Sequence, residues 1–239
     1  KILLASDIEV DRARSQAEVD EVYSTSRLAR DFEKQRGRRP NFVGLIADFL
    51  ERRRVRNLLV PNDFPLLYAD ALRKKGLKIA TKPDPFFEKR MLKSPAEVRA
   101  LEATLRHTEA ACRAAIEVIA RSLIRKGWLY FRGKLLTSEE IKRIVNVTLM
   151  EHGCVAQHTI IACGGDGVDP HNEGSGPLLA NQPIVMDIFP QSVATRYYAD
   201  LSRTVVRGKA SEKLKRMYAA VREGQEIAFR MIRHGVDGS

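Results

Sequence analysis

Cysteine is scarce in this chain. Cys112, Cys154 and Cys163 are an odd count with no C-x-x-C spacing, which argues against a disulfide framework or a zinc knuckle and leads us to expect a reducing, cytoplasmic compartment. Long apolar runs are also missing. Stretches such as Ile184–Met186 and Leu58–Val60 fall far short of the ~20 residues a membrane helix needs, so no membrane partner is expected. The opening Lys-Ile-Leu-Leu-Ala-Ser has too short an apolar run for a signal peptide. It starts at Lys1 and reads like the middle of a strand, so the chain is expected to be a fragment. The 15 glycines and 10 prolines have no period, which excludes a collagen-like chain. Gly164-Gly165-Asp166-Gly167 lacks the Lys-Ser/Thr and helix start of a phosphate loop. Ser175 in Gly-Ser-Gly lacks the G-x-S-x-G frame of a nucleophile elbow.

What is present is globular. Hydrophobic residues make up 44% and charged residues 30% of 239 positions, enough for one large domain or two small ones. The formal net charge is +11, spread over both parts of the chain. Its densest run is Arg52–Arg56 (RRRVR), with Arg36, Arg38 and Arg39 nearby. We read this run as a solvated basic helix end. No aromatics are interleaved for base stacking, so a nucleic-acid partner is not expected.

Residues 1–88 alternate short strands with helical periodicity. Lys1–Ala5, Asn57–Val60 and Leu77–Thr81 read as strands. Phe42, Leu45, Ile46, Phe49 and Leu50 mark one helix face, and Leu66–Lys75 a second helix. This alternation implies a small α/β layer with a parallel sheet. The Pro-containing stretch 81–93 marks the boundary, giving expected domains 1–88 and 89–239. Ser94-Pro95-Ala96-Glu97 then opens a long helix with a capping box, its apolar stripe running to about Leu123. Thr137-Ser138-Glu139-Glu140 opens another in the same way. A strand at Thr159–Cys163, a polar loop at 164–177, strands at Pro183–Phe189 and about Thr195–Val206, and a helix at 212–232 capped by Ser211 complete the pattern.

Two acids carry the chemical signal. Asp187 lies within I-V-M-D-I-F and Asp200 within Y-Y-A-D-L, on consecutive strands joined by a turn near Gln191–Thr195. Such a hairpin would bring two buried carboxylates together. Buried like charges repel unless a cation lies between them, and hard oxygen donors suit a divalent metal or a bridged pair. The simpler alternative pairs Asp187 with Arg203 or Arg196 and leaves Asp200 to cap a turn. His171 lies in the polar loop, sixteen positions before Asp187, where a lone histidine is more often a surface residue. His107, His152, His158 and His234 read as structural or surface residues.

Taken together, Pro170-His171, Val185-Met186-Asp187, Tyr198-Ala199-Asp200-Leu201-Ser202-Arg203-Thr204 and Gly208 before a helix resemble the pita-bread metallopeptidases. These are the Xaa-Pro aminopeptidases, prolidases, methionine aminopeptidases and creatinase. The small α/β domain ahead of the long helix is similar to the Xaa-Pro aminopeptidase and prolidase branch. The resemblance implies an α/β (α+β) chain: a creatinase-type N-terminal domain followed by the first part of a pita-bread domain. It further implies two divalent ions (Mn, Co, Zn or Fe), with Asp187 a ligand of one ion and Asp200 bridging both. His171 would contact substrate and steady the transition state, and Arg203 and Thr204 would orient Asp200. The implied partner is a peptide substrate, and a homodimer is compatible.

There are departures. Asp187-Ile188-Phe189-Pro190 replaces the usual D-x-G, and the interval between the acids is a little long. A bulge or a longer hairpin loop is expected. The family's remaining ligands, one His and two Glu, lie beyond the point where this chain stops. The expected function is therefore that of a metal-dependent exopeptidase cutting at Xaa-Pro bonds, present as an incomplete and inactive chain. The rival is a non-catalytic peptide- or nucleic-acid-binding module on the same fold. Creatinase-type amidinohydrolysis is disfavoured by the metal acids.

Overall fold

The computed structural model describes residues 1–237 and divides into two compact units, Lys1–Leu92 and Lys93–Ser239. The mixed α/β architecture is the one expected, with the division falling at Leu92/Lys93 rather than 88/89.

The first unit runs β1 (Ile2–Ala5), α1 (Val10–Gln16), β2 (Glu21–Ser24), α2 (Thr25–Arg36), α3 (Phe42–Arg52), β3 (Asn57–Pro61), α4 (Leu66–Arg73) and β4 (Lys78–Lys82). Each strand pair is parallel and joined through helix: β1 with β2, and β3 with β4. The parallel layer is thus two separate two-stranded sheets, with Val10, Phe32, Leu45, Val60, Ala69, Leu72 and Leu77 buried among the elements. Helix α3 follows the expected periodicity, but Phe42 at its start is 57% exposed. It is capped by Asn41, whose Oδ1 accepts from the Gly44 N–H at 2.8 Å.

The second unit runs α5 (Pro95–Arg121), β5 (Leu123–Arg125), β6 (Trp128–Phe131), β7 (Lys134–Leu135), α6 (Ser138–Glu151), β8 (Cys154–Val155), β9 (Ile160–Cys163), β10 (Pro183–Ile188), β11 (Gln191–Ser192), β12 (Leu201–Val206) and α7 (Glu212–Met231). Helix α5 begins as its sequence requires. Ser94 Oγ accepts from the Glu97 N–H, Glu97 Oε2 accepts from the Ser94 N–H at 2.7 Å, and Pro95 occupies the first position. It ends two residues before Leu123, which instead opens an unforeseen three-stranded meander, β5-β6-β7. The turn at Lys126-Gly127, both at positive φ, makes the hairpin that a helical reading of this stretch overlooks. The second capping box is only half made. Thr137 caps α6, but the Glu140 carboxylate binds Arg143 at 2.7 and 2.9 Å instead of reaching back.

Sheet order β12-β10-β9 is antiparallel throughout. Along β10, Ile184, Met186 and Ile188 are fully buried while Val185 and Asp187 are only partly so. One face therefore packs with α5 and α6 in a core holding Ala115, Ile141, Val145, Leu149 and Ile161, and the other is left for polar groups. Strand β12 is shorter than the sequence suggested. Residues 193–200 form turn and coil, and Arg196 takes a φ of +63°.

Candidate metal centre

The β10–β12 register places Asp187 opposite Ser202. Asp200 lies two positions before Ser202, so side-chain alternation brings it to the same face, diagonal to Asp187. The same register continues outward to the bridge between Gln191 and Tyr198, with the Ala199 N–H bonded to the Pro190 carbonyl at 3.1 Å. The extra length between the acids is therefore taken up at the far end of the hairpin, without a bulge between them.

The two carboxyls meet. Asp187 Oδ1 accepts from Ser202 Oγ at 2.7 Å. Asp200 is held above its ordinary value of 3.8, first by lost hydration, then by the Asp187 charge and by a hydrogen bond to Asp187. Burial is less complete than the apolar flanks of both acids implied: Asp187 is half-buried and Asp200 exposed. The reason is that each strand buries only alternate positions, so Ile184, Met186 and Ile188 enter the core while Asp187 faces away. Neither acid forms an ion pair with Arg196 or Arg203 among the described residues.

Arg203 alternates to the other side of the sheet. Its charge acts on Cys112 of α5, and its guanidinium donates to the Ser202 carbonyl at 2.7 Å. Among the described residues no hydrogen bond or ion pair joins Arg203 to Asp200. Ser202 and Thr204 occupy the side of the acids. Ser202 was not singled out from sequence, although its spacing from Asp200 already placed it there.

Tyr197, at the end of the hairpin turn, carries no signal in the sequence. Its hydroxyl donates to Glu97 Oε1 at 2.6 Å. Glu97 thus serves its helix cap and the hairpin together, and the Tyr197 bond followed by the Ser94 bonds lowers its pKa to about 2. This contact joins residues one hundred positions apart and fixes the turn three residues before Asp200.

His171 sits exposed in the loop between β9 and β10, with its N–H donating to Asp169 Oδ1 at 2.9 Å. No hydrogen bond joins it to either acid among the described residues. The loop is nevertheless pressed against β9. Gly174, at φ +76°, has no room for a side chain: an added Cβ would lie 1.9 Å from the Ile161 carbonyl oxygen. The Ile161 N–H bonds back to the Glu173 carbonyl at 2.9 Å.

The donor chemistry fits a hard divalent cation as part of its shell, since two carboxylates in contact repel and a cation between them removes that repulsion. Among the described residues no group of three or more His, Cys, Asp or Glu side chains converges on one point. A measurable consequence concerns stability without metal. The folded chain holds the Asp200 proton more tightly than the unfolded chain does. That contribution is complete below the ordinary value of 3.8 and is lost as pH rises through the raised one. Asp200→Asn is therefore expected to raise the Tm of the metal-free chain at pH 7, by about 1–3 °C for a repulsion under ~1 kcal/mol. The gain should shrink toward pH 3. A lower Tm at pH 7 would contradict the repulsion.

The model of metallopeptidase family M24 matches residues 100–239. A curated Xaa-Pro dipeptidase of Pyrococcus horikoshii is 27% identical over 186 residues, covering 76% of this chain and 49% of its own length. Among solved structures, prolidase from Pyrococcus furiosus superposes with a TM-score of 0.67 at 20% identity, over 93% of this chain and 58% of that one. The X-Pro aminopeptidase of Thermotoga maritima gives 0.72 at 20% identity, over 98% and 60%. The chain thus spans about half the length of the curated relative and about three fifths of the solved structures.

Proposed function

The chain belongs to metallopeptidase family M24, and from that premise we propose that it supplies two metal-binding acids of a metal-dependent exopeptidase acting at Xaa-Pro bonds. The observation that carries this reading is the Asp187–Asp200 contact, with Ser202 on one carboxylate and a raised Asp200 pKa. Relatives described as Xaa-Pro dipeptidase and X-Pro aminopeptidase support the substrate class.

In this reading Asp187 and Asp200 would hold divalent cations, with Asp200 as the shared ligand. Such cations supply Lewis acidity toward a peptide carbonyl and lower the pKa of water from ~15.7 toward ~7. The protein's own groups do the rest. Ser202 donates to Asp187 Oδ1 and so restrains that carboxylate. The Tyr197–Glu97 bond holds the hairpin that presents Asp200. His171 donates a hydrogen bond to the substrate carbonyl oxygen as negative charge gathers on it. Mn, Co, Zn and Fe all suit the donors, and a peptide substrate, cytoplasmic location and homodimeric assembly belong to the same proposal. No described helix is long and apolar enough to cross a membrane. We further propose that the 239-residue chain by itself holds metal weakly, because two carboxylates leave most of a hard cation's shell to water.

The test is hydrolysis of Xaa-Pro dipeptides and of longer peptides with proline second, by the protein expressed from its complete reading frame. Turnover is expected only with added divalent metal and should vanish with a chelator. A metal-replete protein that binds these peptides without cutting them would favour the rival, a non-catalytic binding module on this fold. A binding module has no need to keep two repelling carboxylates in contact.

A further inference from the structure

The first unit holds a basic cavity that the metal acids do not explain. It measures about 960 Å³ and is lined by the end of α2, the α2–α3 link, one side of α3, the α3–β3 link and the turn after α4. Six cationic and two acidic side chains line it. Both acids already have partners: Asp48 binds Arg52 at 2.6 Å, and Glu51 binds Arg36 at 3.5 Å. Arg38, Arg39, Arg54, Arg56 and Lys75 are left, and none of the five is in an ion pair among the described residues.

Three separate segments bring these five charges together. Arg38 and Arg39 precede α3, Arg54 and Arg56 follow it, and Lys75 comes from beyond α4. The backbone beneath them is fixed. Arg54 adopts a φ of +57°, a conformation costly for a residue with a Cβ. It is held there by its N–H on the Glu51 carbonyl at 2.9 Å and by the Val55 N–H on the Leu50 carbonyl at 2.9 Å. That sharp reversal lies between α3 and β3, so Arg54 and Arg56 line the cavity from the end of α3 opposite Arg38 and Arg39, and all five cations are exposed to solvent. The Lys75 N–H is tied to the Leu72 carbonyl at 3.0 Å.

Five unpaired cations around one concavity repel one another, and a multiply charged anion in their midst reverses the sign of that interaction. Guanidinium groups match phosphate oxygens in paired hydrogen bonds. We propose that this cavity binds a small oligophosphate anion through Arg38, Arg39, Arg54, Arg56 and Lys75. Its volume lies at the upper end of the ~300–1,000 Å³ usual for small-ligand sites. The only aromatic in the lining, Phe32, is buried, so no ring is offered for base stacking. This favours a ligand read by its phosphates over a single-stranded nucleic acid.

The experiment is calorimetric titration of the 239-residue chain with sodium tripolyphosphate at low and moderate salt. Saturable one-site binding is expected, weakening several-fold as salt rises. Arg38→Gln with Arg39→Gln and Arg56→Gln together should weaken it about tenfold or more, each lost charge-assisted bond contributing a few-fold. Thermal melting should leave this triple variant folded. The matched variant Arg99→Gln, Arg113→Gln, Lys213→Gln, with the same change in net charge at exposed positions outside the cavity, should bind as wild type. Equal losses in both variants would reduce the effect to net charge and overturn the site. Absence of binding at low salt, or tighter binding of a single-stranded oligonucleotide than of tripolyphosphate, would overturn it as well. If the Gln variant were to unfold, Arg38→Lys with Arg39→Lys and Arg56→Lys keeps the charge and should retain weaker but measurable binding, whose absence in the folded protein would count against the site.

Discussion

Asp200→Ala is expected to remove divalent metal and turnover together. In the proposed centre Asp200 would be the shared ligand, so its loss would leave Asp187 as the sole remaining carboxylate of the pair. Losing a supporting hydrogen-bond partner of a ligand typically costs ~10–100-fold in metal affinity. Losing a bridging ligand should exceed that, and activity of the protein expressed from its complete reading frame should fall to background. Metal content by elemental analysis and turnover on an Xaa-Pro dipeptide should drop in parallel. Melting should not fall, because the metal-free fold is relieved of the contact that raises the Asp200 pKa. A variant that kept full metal content and near-normal rate would remove Asp200 from the centre.

His171→Ala is expected to behave differently. The side chain is exposed and bonded to neither acid, so metal content should stay at the wild-type level. Its proposed contribution is one hydrogen bond to a carbonyl oxygen that gains charge in the transition state. Removal of such a donor typically lowers the rate by ~10²–10³, and the loss should appear in kcat rather than in KM. Metal loss in parallel with activity would make His171 a ligand, and an unchanged kcat would make it a bystander of the loop that Gly174 presses onto β9.

The sequence carried the order of the main elements because their signals are local. The Ser94–Glu97 box, the α3 stripe and the apolar alternation of β10 each declare themselves within a few residues. The β5-β6-β7 meander did not, because its strands are two to four residues long and follow a 27-residue helix whose apolar stripe extends to Leu123. The likeness of Asp187 and Asp200 to a family pattern marked them as a pair, and the register then placed them on one face with Ser202. Burial was overstated because apolar neighbours on both sides of Asp187 describe the opposite face of the strand. Tyr197 could not be found from sequence. Its partner Glu97 is one hundred residues away, and nothing local distinguishes a tyrosine that closes a hairpin from one that faces solvent. Arg54 and Arg56, with Arg38 and Arg39 nearby, were visible as a charge run, but Lys75 lies outside that run, and only the fold shows that all five line one cavity.

Manganese titration of the 239-residue chain, followed by calorimetry at two pH values, tests the metal-binding claim most directly. The expected result is weak but saturable binding at pH 7. It should weaken as pH falls through the raised Asp200 value, because the cation then competes with the proton shared by the two carboxyls. Asp187→Asn with Asp200→Asn should abolish it. Binding that is unchanged in the double variant, or no binding at millimolar manganese in the wild-type chain, would contradict the assignment of these two acids to a metal centre.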